Sequence, residues 1–70
     1  MMIMNATIRE VREESLLVCD HATGQDVVVN TQEACCFCVG QRIRIQYNGI
    51  MTLSMPPQIS ACCIMPAGFC

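Results

Sequence analysis

The chain has no tryptophan, a single tyrosine and two phenylalanines, and its whole basic complement is four arginines, Arg9, Arg12, Arg42 and Arg44. Proteins that hold nucleic acid by neutralising phosphates cluster Lys and Arg, and single-strand binders add rings on which bases stack. With a net charge of -2 and rings only at Phe37, Tyr47 and Phe69, this sequence disfavours a nucleic-acid partner. Charge of either sign is scarce, at 14% of residues, while 53% are apolar, which excludes intrinsic disorder. No apolar run reaches the roughly 18–20 residues of a membrane-spanning helix. Met1–Met4 are apolar, but Asn5 ends the run before a secretory h-region builds up. No glycine-rich phosphate loop is present, and none of Ser15, Ser54 and Ser60 sits in a Gly-x-Ser-x-Gly elbow. Seventy residues form one domain at most and leave no room for a large cofactor-binding enzyme. A non-enzymatic protein is expected.

What the chain does have is cysteine. Cys19, Cys35, Cys36, Cys38, Cys62, Cys63 and Cys70 make seven. At that density a short secreted protein would be a disulfide scaffold. Two features oppose this: the count is odd, and Cys62 and Cys63 are neighbours on an expected strand, where side chains alternate between faces. Reduced thiols and a cytoplasmic location are the expectation. Six methionines beside these thiols suit an oxygen-poor cell, since both side chains oxidise.

Turn signals cut the remainder into short apolar segments. From Ile3 to Val11, Met4, Ala6 and Ile8 alternate with polar residues, and Val11 then falls out of phase, which predicts a β-bulge near Arg9-Glu10. Leu16–Cys19 is a second strand and Asp26–Val29 a third, its Val27-Val28-Val29 run favouring extended backbone. Gly24 serves the loop between them, and these three strands read as a meander. Thr31–Val39 is ambiguous; Thr31 could cap a short helical turn that Gly40 ends. Arg42–Tyr47 alternates without fault, with Ile43, Ile45 and Tyr47 inward and Arg42, Arg44 and Gln46 outward. Asn48-Gly49 is a turn, and Pro56-Pro57 forbids a central strand before the last segment, Gln58–Met65. The expected core is Ala6, Ile8, Val11, Val18, Val27, Val29, Ile43, Ile45, Tyr47, Ile59, Ala61 and Cys63.

Five strands with a short helical turn between the third and fourth is the element order of an all-β, five-stranded OB-like small barrel, with an SH3-like barrel as the competing architecture. Residues 1–65 are expected to form this single domain and 66–70 a C-terminal tail.

The stretch Val39-Gly40-Gln41-Arg42-Ile43-Arg44-Ile45-Gln46-Tyr47-Asn48-Gly49, followed by Pro56-Pro57-Gln58-Ile59-Ser60-Ala61, resembles a family of small bacterial domains of unknown function. In that family a V-G-D-x-V-x-V-x-Y-x-G strand and turn precede a P-x-Q-I-x-A final strand. Some members are lipoproteins and others stand alone. The likeness covers roughly residues 6 to 64 and implies an OB-like barrel. Its motifs are structural, the cysteines lie outside the pattern, and no ligand is implied.

Two candidate sites follow. The segment from Ile50 to Pro57 is apolar for a loop, and loops between the last two strands of such barrels bind ligands. Ile50, Met51, Leu53 and Met55, with Arg42 and Arg44 on the outer face of the fourth strand, are the expected interaction surface for a protein or small ligand, or for self-association. The alternative is a metal or thiol-redox centre at Cys35, Cys36 and Cys38, with zinc as the metal and Cys19 or His21 available to complete it. Against this stand the poor chelating geometry of Cys62-Cys63 and the lack of a thioredoxin-like context. A lone loop histidine beside Asp20 and a set of acids around the first hairpin have ordinary solvated readings.

Overall fold

The computed structural model describes residues 1–67, and its elements follow the turn signals closely. The strands are β1 (Met2–Val11), β2 (Ser15–Asp20), β3 (Asp26–Asn30), β4 (Arg42–Tyr47) and β5 (Gln58–Pro66). A single 3-10 turn, Ala34–Cys36, lies between β3 and β4. β1, β2 and β3 form the expected antiparallel meander. β1 also pairs with β4, from Met2↔Tyr47 to Thr7↔Arg42. β5 runs antiparallel to β4 and parallel to β3, so the order β1-β2-β3-β5-β4 leads back to β1 and the five-stranded sheet closes in a ring.

One strand can serve two neighbours because β1 bends. Its register on β2 passes from Ile8↔Val18 to Glu10↔Leu17, leaving Arg9 as the extra residue of a bulge at the expected place. The bulge absorbs the slip between Ile8 and Val11 and turns the second half of β1 toward β2. Arg9 then crosses the outside of β2 to reach Asp26 on β3, with Nη1 3.2 Å from the carboxylate oxygen. Both groups are exposed, so this pair is worth at most about 1 kcal/mol.

The ring encloses Met4, Ala6, Ile8, Leu16, Val18, Val27, Val29, Ile43, Ile45, Tyr47, Ile59 and Ile64, with Ala34 of the 3-10 turn beneath them. Val11 and Ala61 are half-buried against this cluster, as are Phe37 and Met51. Cys63, expected in the core, is exposed. A second bulge explains the miss. β5 pairs Ala61 with Tyr47 and Cys63 with Gln46, so Cys62 has no partner of its own. The extra residue inverts the alternation begun by Ile59 and Ala61, and Ile64 takes the inward position opposite Ile45. The strict alternation used to separate Cys62 from Cys63 fails for the same reason, and both thiols are exposed.

Thr31 does not cap the helical turn. Its Oγ1 accepts the Glu33 N–H at 3.1 Å, a turn that precedes the 3-10 element. Glu33 holds the N-cap position without a side-chain cap, and Phe37 ends the element in extended backbone. Gly40 comes later, at φ 88°, where its N–H donates to Ile8 O at 2.7 Å as the chain turns into β4. β5 takes in Pro66, and the Ala67 N–H still donates to Arg42 O at 2.9 Å. The rest of the expected tail, with Phe69 and Cys70, lies outside the described residues. No helix of the described residues is long and apolar enough to cross a membrane.

Candidate functional site

The loop from Asn48 to Pro57 joins β4 to β5. Asn48 Oδ1 accepts the Ile50 N–H at 3.0 Å, a local turn of the kind asparagine favours. Thr52 then grips the start of β5 twice: its N–H donates to Gln58 O at 3.0 Å, and its Oγ1 accepts the Gln58 N–H at 2.9 Å. Ser54 Oγ lies 2.6 Å from Thr52 Oγ1 and donates to Pro56 O at 2.9 Å. These bonds pinch residues 52–58 into a knuckle with Leu53 and Met55 at its tip. Leu53 is 102% exposed and Met55 91%. Ile50 is also exposed, whereas Met51 turns inward and packs against the core.

The expected surface therefore divides. Ile50, Leu53 and Met55 share one loop at the Tyr47 end of β4. Arg44 stands mid-strand between Asn5 of β1 and Met65 of β5, and Arg42 lies beside Thr7 at the far end. From Tyr47 to Arg42 is five strand steps of about 3.3 Å, roughly 16 Å. Arg42 and Arg44 point outward, and neither takes part in an ion pair among the described residues.

Cys35, Cys36 and Cys38 are all exposed. The neighbouring Cys35 thiol pushes the Cys36 thiol above its ordinary pKa, first by charge and then by hydrogen bonding, with smaller contributions from desolvation and the Glu33 carboxylate. A raised thiol is a weaker nucleophile at neutral pH, the reverse of what a redox centre needs. Among the described residues no three His, Cys, Asp or Glu side chains converge on a metal-sized space, so the zinc reading gains no geometry. His21 Nε2 lies 2.6 Å from Oγ1 of Thr7, the residue paired with Cys19, and the His21 backbone N–H donates to Asn5 O at 2.9 Å.

Two depressions went unforeseen in the sequence. One, of about 410 Å³, lies at the Met2–Tyr47 end of the ring between Met4 and His21. The other, of about 580 Å³, separates Asn30–Glu33 from Ala61–Ile64, with Glu14 on its rim. The signal for the second was the unequal length of the strands flanking it. No family model, curated protein or solved structure matches the chain.

Proposed function

We propose that this chain is an OB-like barrel acting as a non-enzymatic interaction module, and that the knuckle between β4 and β5 is its contact element. The strand order β1-β2-β3-β5-β4 and the 3-10 turn between β3 and β4 support the OB-like reading, the fold that the resemblance to small bacterial domains implies. A reduced, cytoplasmic setting fits the free thiols.

The observation that carries the function is the contrast within the knuckle. Its backbone is pinned by Thr52 and Ser54, yet two large apolar side chains stand fully in water. Leaving Leu and Met exposed forgoes burial worth about 1.5–3 kcal/mol each. A partner that covers them recovers it, and a pre-organised loop loses little further freedom on docking. The partner is an apolar surface of another protein, a second copy included.

Sedimentation of the wild type against Leu53→Lys/Met55→Lys tests this, because neither residue holds up the fold. Association in the wild type that the double variant lacks supports self-contact. Crosslinking of a cell protein by photo-leucine at position 53 supports a heterologous partner. A wild-type chain that stays monomeric at millimolar concentration and crosslinks nothing removes the reading.

A further inference from the structure

The ring is closed unevenly. β5 joins β3 only at Val28↔Gln58, Val29↔Ile59 and Asn30↔Ser60. Past Ser60, β5 continues to Pro66 with β4 alone as its partner. The cause lies in the residues after Asn30. Glu14 O accepts the Thr31 N–H at 3.0 Å and Thr31 Oγ1 accepts the Glu33 N–H at 3.1 Å, which swings the chain away from β5. A strand paired on one side presents alternate N–H and C=O groups on the other. The Asn30↔Ser60 pair is the last of this joint, its ladder ending at the Ala61 amide, and no pairing or backbone hydrogen bond links Cys62–Met65 to Thr31–Glu33 among the described residues. Between them lies the groove of about 580 Å³.

We propose that this groove takes an extended peptide bearing Lys or Arg, added as a strand along the free edge of Cys62–Met65. The length fits: three steps of about 3.3 Å make an edge of roughly 10 Å, room for a short strand. The chemistry fits too. Ala61 and Ile64 offer apolar contact, Glu14 and Glu33 supply negative charge, and no basic residue lines the groove. The edge itself, Cys62-Cys63-Ile64-Met65, carries no charge to repel an incoming strand. A second copy of this chain suits the groove less, because it would set another Glu14 and Glu33 against the first. The proposal is independent of the knuckle, which lies on the connection before β5.

The probe is the acetylated, amidated hexapeptide Lys-Val-Lys-Val-Lys-Val, titrated at low ionic strength into the isotope-labelled chain. Amide shifts are expected along Cys62–Met65, with slowed hydrogen exchange at its groove-facing amides. The Glu-Val-Glu-Val-Glu-Val peptide should bind about tenfold more weakly, and Glu14→Lys/Glu33→Lys should weaken the lysine peptide by about the same factor, an effect that added salt erodes. N-methylation of the peptide's alternate amides should abolish binding without touching the protein. Equal binding of the N-methylated or glutamate peptide overturns the proposal, as does protection mapped elsewhere. Protection at the groove-facing amides of Cys62–Met65 that grows with protein concentration alone also overturns it, by placing a second copy on the edge.

Discussion

Ile43 and Ile45 have no exposed surface, and each sits opposite apolar residues on two neighbouring strands. Truncating Ile45 to Ala should cost about 2–5 kcal/mol, transfer and cavity together. A chain this size has roughly 4–10 kcal/mol in hand, so the loss is a large share of it and urea titration should find the Ile45→Ala midpoint far below that of wild type. Leu53→Ala, at the tip of the knuckle, should stay within about 0.5 kcal/mol of wild type in the same titration. A large loss there would mean that the loop braces the ring. Cys36 gives a second test at this scale. Its thiol titrates above the ordinary value because Cys35 lies beside it, so at any pH below that point it holds less thiolate. Its alkylation by iodoacetamide, followed by mass spectrometry, should lag an ordinary exposed thiol, and its rate–pH curve should sit at higher pH. Cys35→Ser should bring the curve back down.

At the scale of the element, the two bulges decide which side chains enter the ring. Cys62 is the unpaired residue, and removing it leaves Ala61 on Tyr47 and the next cysteine on Gln46 in unbroken register. Deletion of Cys62 should therefore keep the fold, whereas deletion of Arg44 from β4 flips either Ile43 or Ile45 outward and should abolish cooperative thermal unfolding. Gly49 is a second point of control. Its φ is 88°, and a Cβ there would come within 3.1 Å of Met2 Cγ, the movable part of a flexible side chain. Gly49→Ala should cost about 1–2 kcal/mol, mostly from the backbone conformation. These elements also show what could be read in advance. Alternation in Arg42–Tyr47 and the slip between Ile8 and Val11 announce β4 and the first bulge directly, because each polar or apolar residue reports its face. Cysteine does not report a face, being small and at home in either place, so Cys62-Cys63 hid the second bulge and drew Cys63 into the expected core. Thr31 misled in another way. Its hydroxyl can cap a helix or close a short turn, and only the path of the following residues separates the two. The knuckle was legible as an apolar stretch, but not Met51's inward turn, which depends on bonds between Thr52 and Gln58 that no spacing encodes.

For the whole molecule, the joint between β3 and β5 is the weak point of the ring. Three parallel pairs close it, while β1 is paired with β2 on one side and β4 on the other. Opening at that joint breaks few hydrogen bonds and turns the ring into a curled sheet still held by its antiparallel pairs. Local openings of this kind set amide exchange well below the global unfolding free energy. The seam was hidden because nothing in the sequence sets β5 beside β3; the unequal lengths were legible, β3 stopping at Asn30 and β5 outrunning it by six residues, Ala61–Pro66. Native-state hydrogen exchange should rank the amides accordingly. The core-facing stretch Met4–Ile8 of β1 should be the last to exchange, the Val28–Asn30 seam should exchange earlier, and the groove-facing amides of Cys62–Met65 should exchange nearly unprotected. Denaturant should shift the first group steeply and the last hardly at all, since global unfolding exposes far more surface than parting one seam. Uniform protection across all five strands would mean that the ring opens only as a whole and that the edge of β5 is covered in solution.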